Sequence, residues 1–217
     1  MLRLVRLVFE ALLPSFMRIR MLRWRGAEIG EGCVIKPFTV LDARQLVLGN
    51  YVYIGGFNLI HRLKVLEMGS GARLSGFNWL TGAGVGSITF GKNAAATRLH
   101  FFEASGDINV GENTIIAGRG THLFTHGISS TNLDDVRAIN IGPWSYIGSA
   151  SRFVPGSGVS KASFVGMASV VTKHISDEYV LVAGSPAVVK KQLSPDDIYF
   201  RRDFLPHEHH PDGFNGK

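Results

Sequence analysis

The most constraining feature of this sequence is a six-residue spacing of bulky apolar residues between Ile139 and Val171. An α-helix repeats about every 3.6 residues and a half-buried strand every 2, so neither element explains this spacing. A period of six is typical of a hexapeptide β-helix, in which each hexad forms one short strand and three hexads complete a triangular coil. The side chains predicted to point into the coil are those of Ile141, Ile147, Phe153, Val159, Val165 and Val171.

The same spacing recurs in shorter series over most of the chain, which predicts an all-β fold. Its register slips between series, as expected where loops bulge from the corners of successive coils. Glycines such as Gly148 follow several of the inward residues, where we expect the chain to turn tightly. Asn58 and Asn78 are predicted to have structural roles at turns, because asparagine tolerates left-handed backbone conformations. The predicted regions are an N-terminal helical segment (1–26), a β-helix domain (27–191) and a C-terminal helix with a polar tail (192–217).

The first 25 residues are mostly apolar and carry six arginines and one glutamate. On a helix, Arg3, Arg6 and Glu10 fall on one stripe, and Pro14 is expected to end or kink that helix. The arginines interrupt the apolar run and no small-residue cleavage site follows, so a signal peptide is not indicated. Two interpretations stay open: a basic amphipathic segment on an anionic cytoplasmic membrane face, or a helix packed on the β-helix or on a neighbouring subunit.

Charge and cysteine content narrow the range of partners. Lysines and arginines exceed aspartates and glutamates by six, which favours a partner carrying phosphates, such as a nucleotide-like cofactor or an anionic lipid surface. We expect no nucleic acid partner. Cys33 is the only cysteine, so an intramolecular disulfide is excluded and a reducing, cytoplasmic location is the natural interpretation. No apolar run reaches the roughly 18–20 residues of a membrane-spanning helix.

Residues 118–138 abandon the six-residue spacing and are rich in glycine, serine, threonine, asparagine and aspartate. A loop set on a rigid stack is a favourable place for chemistry, because the scaffold holds its ends. His122 keeps the six-residue step and is interpreted as an inward-facing or corner residue. His126 lies beyond the last in-register position, so packing does not explain it. Asp134 and Asp135 follow in the same loop, where we expect an exposed turn.

The segment from Ile141 to Ile175, with VAGSPAVVKK after it, resembles the C-terminal signature of the left-handed β-helix acyltransferases, specifically the maltose, galactoside and exopolysaccharide O-acetyltransferases. The resemblance implies a left-handed parallel β-helix and an acetyl-CoA-dependent O-acetyltransferase. This family keeps its catalytic base in the loop before the signature, here FTHG, which implies that His126 is the base. The family also places an acidic residue one coil upstream, which implies Glu103. Imidazole suits proton transfer near neutral pH, and no covalent enzyme intermediate is required.

The resemblance further implies that acetyl-CoA is the acyl donor and lies in a groove between two subunits of a homotrimer, with no metal ion. Related sugar acetyltransferases carry an asparagine where this chain has Ala95, so the acceptor stays open. Tyr146 either lines the groove or packs, and Met167 replaces a usually small residue, which leaves its contact to the backbone N–H. The implied cofactor-binding residues are Ser149, Met167, Thr172, Lys173, Lys191 and Tyr146.

Three classes of function stay open from the sequence. The first is acetyl transfer to a sugar hydroxyl in surface-polysaccharide or lipid-linked oligosaccharide assembly, with N-acetylation of a nucleotide-linked amino sugar as the nearest alternative. The second is a zinc-dependent hydratase of the carbonic-anhydrase type, for which His61, His100, His122 and His126 supply nitrogens. The third is a catalytically silent scaffold. The histidine-rich segment 207–210 is predicted to belong to a docking or disordered tail, not to a metal site.

Overall fold

The computed structural model describes residues 2–128 and 130–202, without the side chains of residues 2–4. It shows the predicted left-handed parallel β-helix, preceded by the helices α1 (Leu2–Leu12) and α2 (Ser15–Trp24). Nearly all strands are short, because each covers one side of a coil and pairs in parallel with the coils before and after it. One sheet contains eight parallel strands, one from each coil, so the β-helix has eight successive coils.

The strands form two large sheets and one hairpin. The nine-stranded sheet contains β2 (Val34–Ile35), β4 (Tyr53–Ile54), β6 (Arg73–Leu74), β9 (Ala95–Ala96), β12 (Ile115–Ile116), β17 (Tyr146–Ile147), β20 (Phe164–Val165), β23 (Val180–Gly184) and the antiparallel β24 (Ala187–Gln192). The thirteen-stranded sheet contains β1 (Glu28–Ile29), β3 (Val40–Leu48), β5 (Leu59–Met68), β7 (Trp79–Thr81), β8 (Ser87–Phe90), β10 (Phe101–Glu103), β11 (Ile108–Val110), β13 (His122–Phe124), β16 (Ile139–Ile141), β18 (Arg152–Phe153), β19 (Gly158–Val159), β21 (Val170–Val171) and β22 (His174–Ile175). The hairpin pairs β14 (His126–Gly127) with β15 (Asp135–Val136).

The inward apolar spacing predicted from the sequence is confirmed. The six residues named above, from Ile141 to Val171, are all at most 2% exposed. Their burial stabilises the coil by roughly 1.5–3 kcal/mol for each large side chain. Glycine is required after these residues for a different reason from the one predicted. A Cβ on Gly148 would lie 2.7 Å from the backbone nitrogen of Met167 in the next coil. The close stacking of coils, rather than a tight turn, therefore requires glycine there.

A column of buried polar residues runs beside the apolar columns at one corner of the coil. Asn78 Oδ1 accepts the backbone N–H of His100 at 2.9 Å, and His100 Nδ1 accepts that of Thr121 at 3.2 Å. Asn58 Oδ1 accepts the backbone N–H of Asn78 at 2.8 Å in the same way. The left-handed backbone conformation belongs to the preceding phenylalanine, Phe77 in this coil. The structural role predicted for both asparagines is confirmed, but it rests on hydrogen bonds between coils. The full column is Thr39, Asn58, Asn78, His100, Thr121, Ser151 and Ser169.

The two N-terminal helices pack on the first coil, and the break between them falls at Pro14 as predicted. Ile19 and Leu22 of α2 join the hydrophobic core. At the end of α1, the carbonyl of Ala11 accepts the backbone N–H of Phe38 at 2.6 Å. Among the described residues, no helix is both long enough and apolar enough to cross a membrane.

The C-terminal segment folds back onto the nine-stranded sheet. Residues 195–201 form consecutive turns in place of the predicted short helix. The hydroxyl of Ser194 accepts the backbone N–H of Asp196 at 3.1 Å, and the side chain of Asp197 accepts that of Ser194 at 3.2 Å. These local bonds satisfy backbone groups that a helix would otherwise use. The histidine-rich segment 207–210 lies outside the described residues.

Candidate functional site

The candidate catalytic hairpin leaves the coil at Thr125 and returns at Arg137. Residues 118–124 continue the coil, since β13 pairs with β10 on one side and β18 on the other. The backbone N–H of Arg137 donates to the carbonyl of Thr125 at 2.9 Å and closes the excursion. Inside it, β14 and β15 place His126 opposite Val136. The extruded segment is therefore shorter than the predicted 118–138, and it carries the histidine that departs from the repeat.

Glu103 holds the base of this hairpin through the backbone. Its Oε2 accepts the backbone N–H groups of Thr125 and His126 at 3.1 and 3.0 Å, and its Oε1 accepts that of Ser105 at 3.0 Å. Both carboxylate oxygens are thus occupied, and these bonds reach the main chain of His126 instead of its imidazole. Glu103 and His126, the two residues that the family resemblance implied for catalysis, are joined by this backbone hydrogen bond.

The carboxylate that faces the imidazole belongs to Asp134. Its Oδ1 lies 3.7 Å from His126 Nε2, too far for a hydrogen bond but within the range of electrostatic attraction. The two side chains are 84% and 43% exposed, so water and salt screen the attraction. Asp135 is engaged elsewhere: Arg137 donates to both its oxygens at 2.7 Å, and these bonds lower the pKa of Asp135. The sequence predicted only a turn here, because the hairpin that turns Asp134 toward His126 has no spacing signal.

Thr172 and Lys173 lie at the same corner as His126, further along the coil. Gly127 of the hairpin rests on Pro155, since a Cβ on this glycine would lie 3.1 Å from the proline ring. Strands β21 and β22 stack in register on β18 and β19, so Thr172 and Lys173 form the corner that residues 154–157 form in the coil before. Both Thr172 and Lys173 are exposed. The structure therefore brings these two predicted cofactor-binding residues to the side of the molecule that carries the candidate base.

Ser149 and Met167 lie at the opposite edge of the same face. They stack on each other across adjacent coils, because the residue after Met167 donates its backbone N–H to the carbonyl of Ser149 at 2.9 Å. The hydroxyl of Ser149 points at Gly118, where any Cβ would collide with it. One side of the coil, about 16 Å of extended chain, separates this corner from His126. Within a single chain, these two groups of predicted residues do not form one site.

Tyr146 and Lys191 belong to a third region, the nine-stranded sheet. The ring of Tyr146 stacks on Phe164 at 5.3 Å and is met edge-on by Tyr199, 6.1 Å away. The hydroxyl of Tyr199 donates to the carbonyl of Ser145 at 3.0 Å, and burial raises the pKa of Tyr199 to about 12. Tyr146 packs against both of these rings, and its place in the cofactor groove stays a prediction. Lys191 is exposed on β24.

The histidines proposed for a zinc site are separated by the fold. His100 is buried and its two ring nitrogens are engaged, Nδ1 by the N–H of Thr121 and Nε2 by the hydroxyl of Thr97 at 2.9 Å. Burial lowers the pKa of His100 to about 4. Within residues 2–128 and 130–202, no three histidine, cysteine, aspartate or glutamate side chains are grouped to hold a metal ion.

His122 points outward, where the sequence had predicted an inward or corner position. Leu123 is the buried residue of this strand, so the hexad register has slipped by one position in the coil. The ring of His122 lies edge-on to Phe101 and Phe124, with centroids 5.7 and 5.8 Å away. Burial, and then the charge of Arg152, lower the pKa of His122. The one-residue slip comes from an extra residue in the preceding turn, which a strict six-residue count does not detect.

Comparison with known proteins gives structural matches alone. No protein-family model matches the chain, and no curated protein sequence matches it. A mutant of AntD, an N-acyltransferase from Bacillus cereus, crystallised with dTDP and coenzyme A, superposes with a TM-score of 0.56 at 15% identity, over 84% of this chain and 93% of that one. Another AntD mutant, with dTDP-4-amino-4,6-dideoxyglucose and coenzyme A, gives 0.54 at 15% identity, over 81% and 88%.

A maltose O-acetyltransferase from Clostridium difficile 630 matches at a TM-score of 0.43 and 18% identity, over 72% of this chain and 71% of that one. The AntD structures have TM-scores above 0.5, and about nine-tenths of their length superposes on this β-helix. The chain therefore has the fold of this N-acyltransferase.

Proposed function

We propose that this protein is an acyl-CoA-dependent acetyltransferase in which His126 is the general base. The main support is the exposed imidazole of His126. It lies on a hairpin whose backbone is hydrogen-bonded by Glu103, at the corner that also contains Thr172 and Lys173. The shared fold with an N-acyltransferase crystallised with coenzyme A supports it. The lysine ammonium suits a phosphate of the donor, in keeping with the basic net charge.

In the proposed reaction, the His126 imidazole removes the proton of the acceptor hydroxyl while that oxygen attacks the thioester carbonyl carbon. A new C–O bond forms and the carbonyl oxygen becomes an oxyanion, which needs hydrogen-bond donors. The intermediate collapses with cleavage of the C–S bond. The departing thiolate takes the proton from the imidazolium, which returns His126 to its starting form. Asp134 stabilises the imidazolium while it exists, and the exposure of the pair keeps this contribution small.

The acceptor that we propose is a sugar hydroxyl of a surface polysaccharide or of a lipid-linked oligosaccharide. The second candidate is the amine of a nucleotide-linked amino sugar, which one AntD structure favours because it was crystallised with dTDP-4-amino-4,6-dideoxyglucose. The two candidates differ in the acceptor atom and share His126. A panel that pairs each sugar with its amino analogue, followed by release of free CoA thiol, separates them.

We also propose a homotrimer in which each active site lies between two subunits. His126 and the Ser149–Met167 corner lie at opposite edges of one coil face, and a groove between two copies would let one CoA molecule contact His126 of one chain and this corner of the other. Light scattering tests the assembly, and a monomer at working concentration contradicts it. Mixed trimers of His126→Ala and Met167→Trp chains are expected to recover activity that neither variant has alone.

The first experiment is a calorimetric titration of metal-stripped protein with CoA, because it needs no acceptor. We expect micromolar binding near one CoA per chain, and unchanged binding by His126→Ala. The same variant is expected to lower acetyl transfer by at least about 100-fold, the usual contribution of a general base. His174→Ala is the matched control, since His174 is an exposed histidine on another face of the coil. Full turnover by His126→Ala contradicts the assignment.

Absence of CoA binding contradicts the transferase altogether. In that case, zinc recovered from untreated protein supports the hydratase. Absence of both CoA binding and zinc supports the catalytically silent scaffold. The location proposed is the cytoplasm, with peripheral contact at the inner membrane face.

A further inference from the structure

The first helix exposes an apolar face although it also buries apolar side chains. The side chains of α1 that face the protein are Leu7, Glu10 and Ala11, which are 5%, 2% and 6% exposed. The opposite face of α1 is entirely apolar and open, and α2 adds two exposed aromatic residues. We call these residues the cap surface: Val5, Val8, Phe9, Leu12, Phe16 and Trp24.

The buried glutamate explains how this orientation is held. Glu10 forms ion pairs with Arg6, at 3.3 Å, and with Arg25, the residue that follows the second helix. Turning α1 over to bury its apolar face would break these pairs and leave the helices unjoined. Removing the partners of a buried carboxylate is strongly destabilising, so the ion pairs of Glu10 fix the orientation of α1. The cap surface therefore faces outward.

Two arginines provide the exposed positive charge beside the cap surface. Of the six arginines in the first 25 residues, Arg18 is buried and Arg6 and Arg25 pair with Glu10. Arg20 is exposed on the same side of α2 as Phe16 and Trp24. The arginine Arg23 donates to the backbone carbonyls of Ile29 and Gly30, so its charge is not neutralised by a carboxylate. Exposed apolar side chains with unneutralised arginines around them suit the interface of an anionic bilayer.

The charges of Arg20 and Arg23 argue against a twofold dimer through the cap surface. A symmetric dimer through the cap surface would place the same patch on itself and bring arginines against arginines. Such like-charge contacts oppose association. An anionic lipid surface meets both the apolar and the basic part of the patch.

We propose that the cap surface docks this protein on an anionic lipid bilayer, with the aromatic side chains of both helices entering the headgroup region. Docking would leave the corner with His126, Thr172 and Lys173 uncovered, because the helices pack on the first coils, whereas His126 follows β13 of the fifth coil and Thr172 and Lys173 follow β21 of the seventh. This docking is independent of the transferase proposal, since it requires no CoA.

The test is co-sedimentation of the full chain with vesicles. We expect binding to phosphatidylcholine vesicles that contain phosphatidylglycerol, weak binding to pure phosphatidylcholine, and release at high salt. Phe9→Ser is expected to weaken binding about tenfold, the effect of one large apolar side chain. Arg20→Gln is expected to weaken it about fivefold in low salt.

The matched controls are Phe57→Ser and Arg98→Gln on the coil. Phe57 is 54% exposed, against 59% for Phe9, and both controls are expected to bind vesicles like the unaltered chain. An unchanged urea unfolding midpoint for Phe9→Ser shows that the fold is intact. The proposal is overturned if the unaltered chain does not bind anionic vesicles or if Phe9→Ser binds them equally well. It is also overturned if light scattering shows that the unaltered chain self-associates and that Phe9→Ser does not.

Discussion

The carboxylate of Glu103 accepts the backbone N–H of His126 at 3.0 Å, so the acidic residue positions the candidate base through the main chain. The same oxygen accepts the N–H of Thr125, and the other oxygen accepts that of Ser105. A carboxylate with only acceptor sites suits three converging N–H groups. The hairpin that carries the imidazole is thereby tied to the coil beneath it.

Glu103→Gln is therefore expected to impair catalysis without impairing donor binding. The amide offers one acceptor oxygen in place of two and turns an NH₂ group toward N–H donors. We expect kcat to fall about tenfold because the imidazole loses its fixed position, while the Kd for CoA stays unchanged. Calorimetry and steady-state rates measure the two quantities. Glu67→Gln, at an exposed strand position, is the control, and an equal loss in kcat and in CoA affinity would contradict a positioning role.

Asp134→Asn is expected to have a much smaller effect than loss of the histidine. The pair is exposed and its nearest N–O distance is 3.7 Å, so the attraction for an imidazolium is weak. We expect kcat to fall by less than about fivefold at low salt, and the difference from the unaltered enzyme to vanish at high salt. Rates measured at two ionic strengths test this. A loss as large as that of His126→Ala would show that Asp134 has a direct catalytic role.

The buried His100 should make the protein less stable in mild acid. Its pKa is about 4 in the folded chain and near 6.5 when unfolded, so the unfolded state binds the extra proton between these values. Its contribution is fully present above about pH 6.5 and is lost as the pH falls toward 4, by about 3 kcal/mol. Urea unfolding across this range measures the slope. His100→Gln should flatten it and His174→Gln should not; an unchanged slope in His100→Gln contradicts the assignment.

Asn78→Ala should destabilise the coil, because Asn78 links three coils. Its Oδ1 accepts the N–H of His100, and its Nδ2 donates to the carbonyls of Ser75 and Thr97 at 3.0 and 2.9 Å. Leaving these buried groups unpaired is expected to lower the free energy of unfolding by about 3 kcal/mol. Asn109→Ala removes an exposed bond between asparagine side chains and is expected to cost under about 0.5 kcal/mol. Similar losses from the two substitutions would contradict a special role of the buried column.

The β-helix and its candidate catalytic base, His126, were predictable for different reasons. Apolar side chains every six residues match the stacking of short strands, so the interior residues from Ile141 to Val171 could be named from spacing alone. His126 could be named as a candidate because it lies outside that spacing. Its role, like that of Glu103, came from resemblance to a family and not from the period. The outward position of His122 was missed because one extra residue in a turn shifts the register, and a turn insertion leaves no mark on composition.

What the sequence by itself determined is therefore the repeating β-helix, its interior and the break that carries His126, since these depend on local spacing. Tertiary structure alone decided which groups meet: Glu103 with the backbone of His126, Tyr199 over Tyr146, and Glu10 turned inward beneath an exposed apolar face. These contacts join positions that are distant along the chain, or on opposite sides of one helix. They depend on how elements pack, and many packings are compatible with the same local pattern.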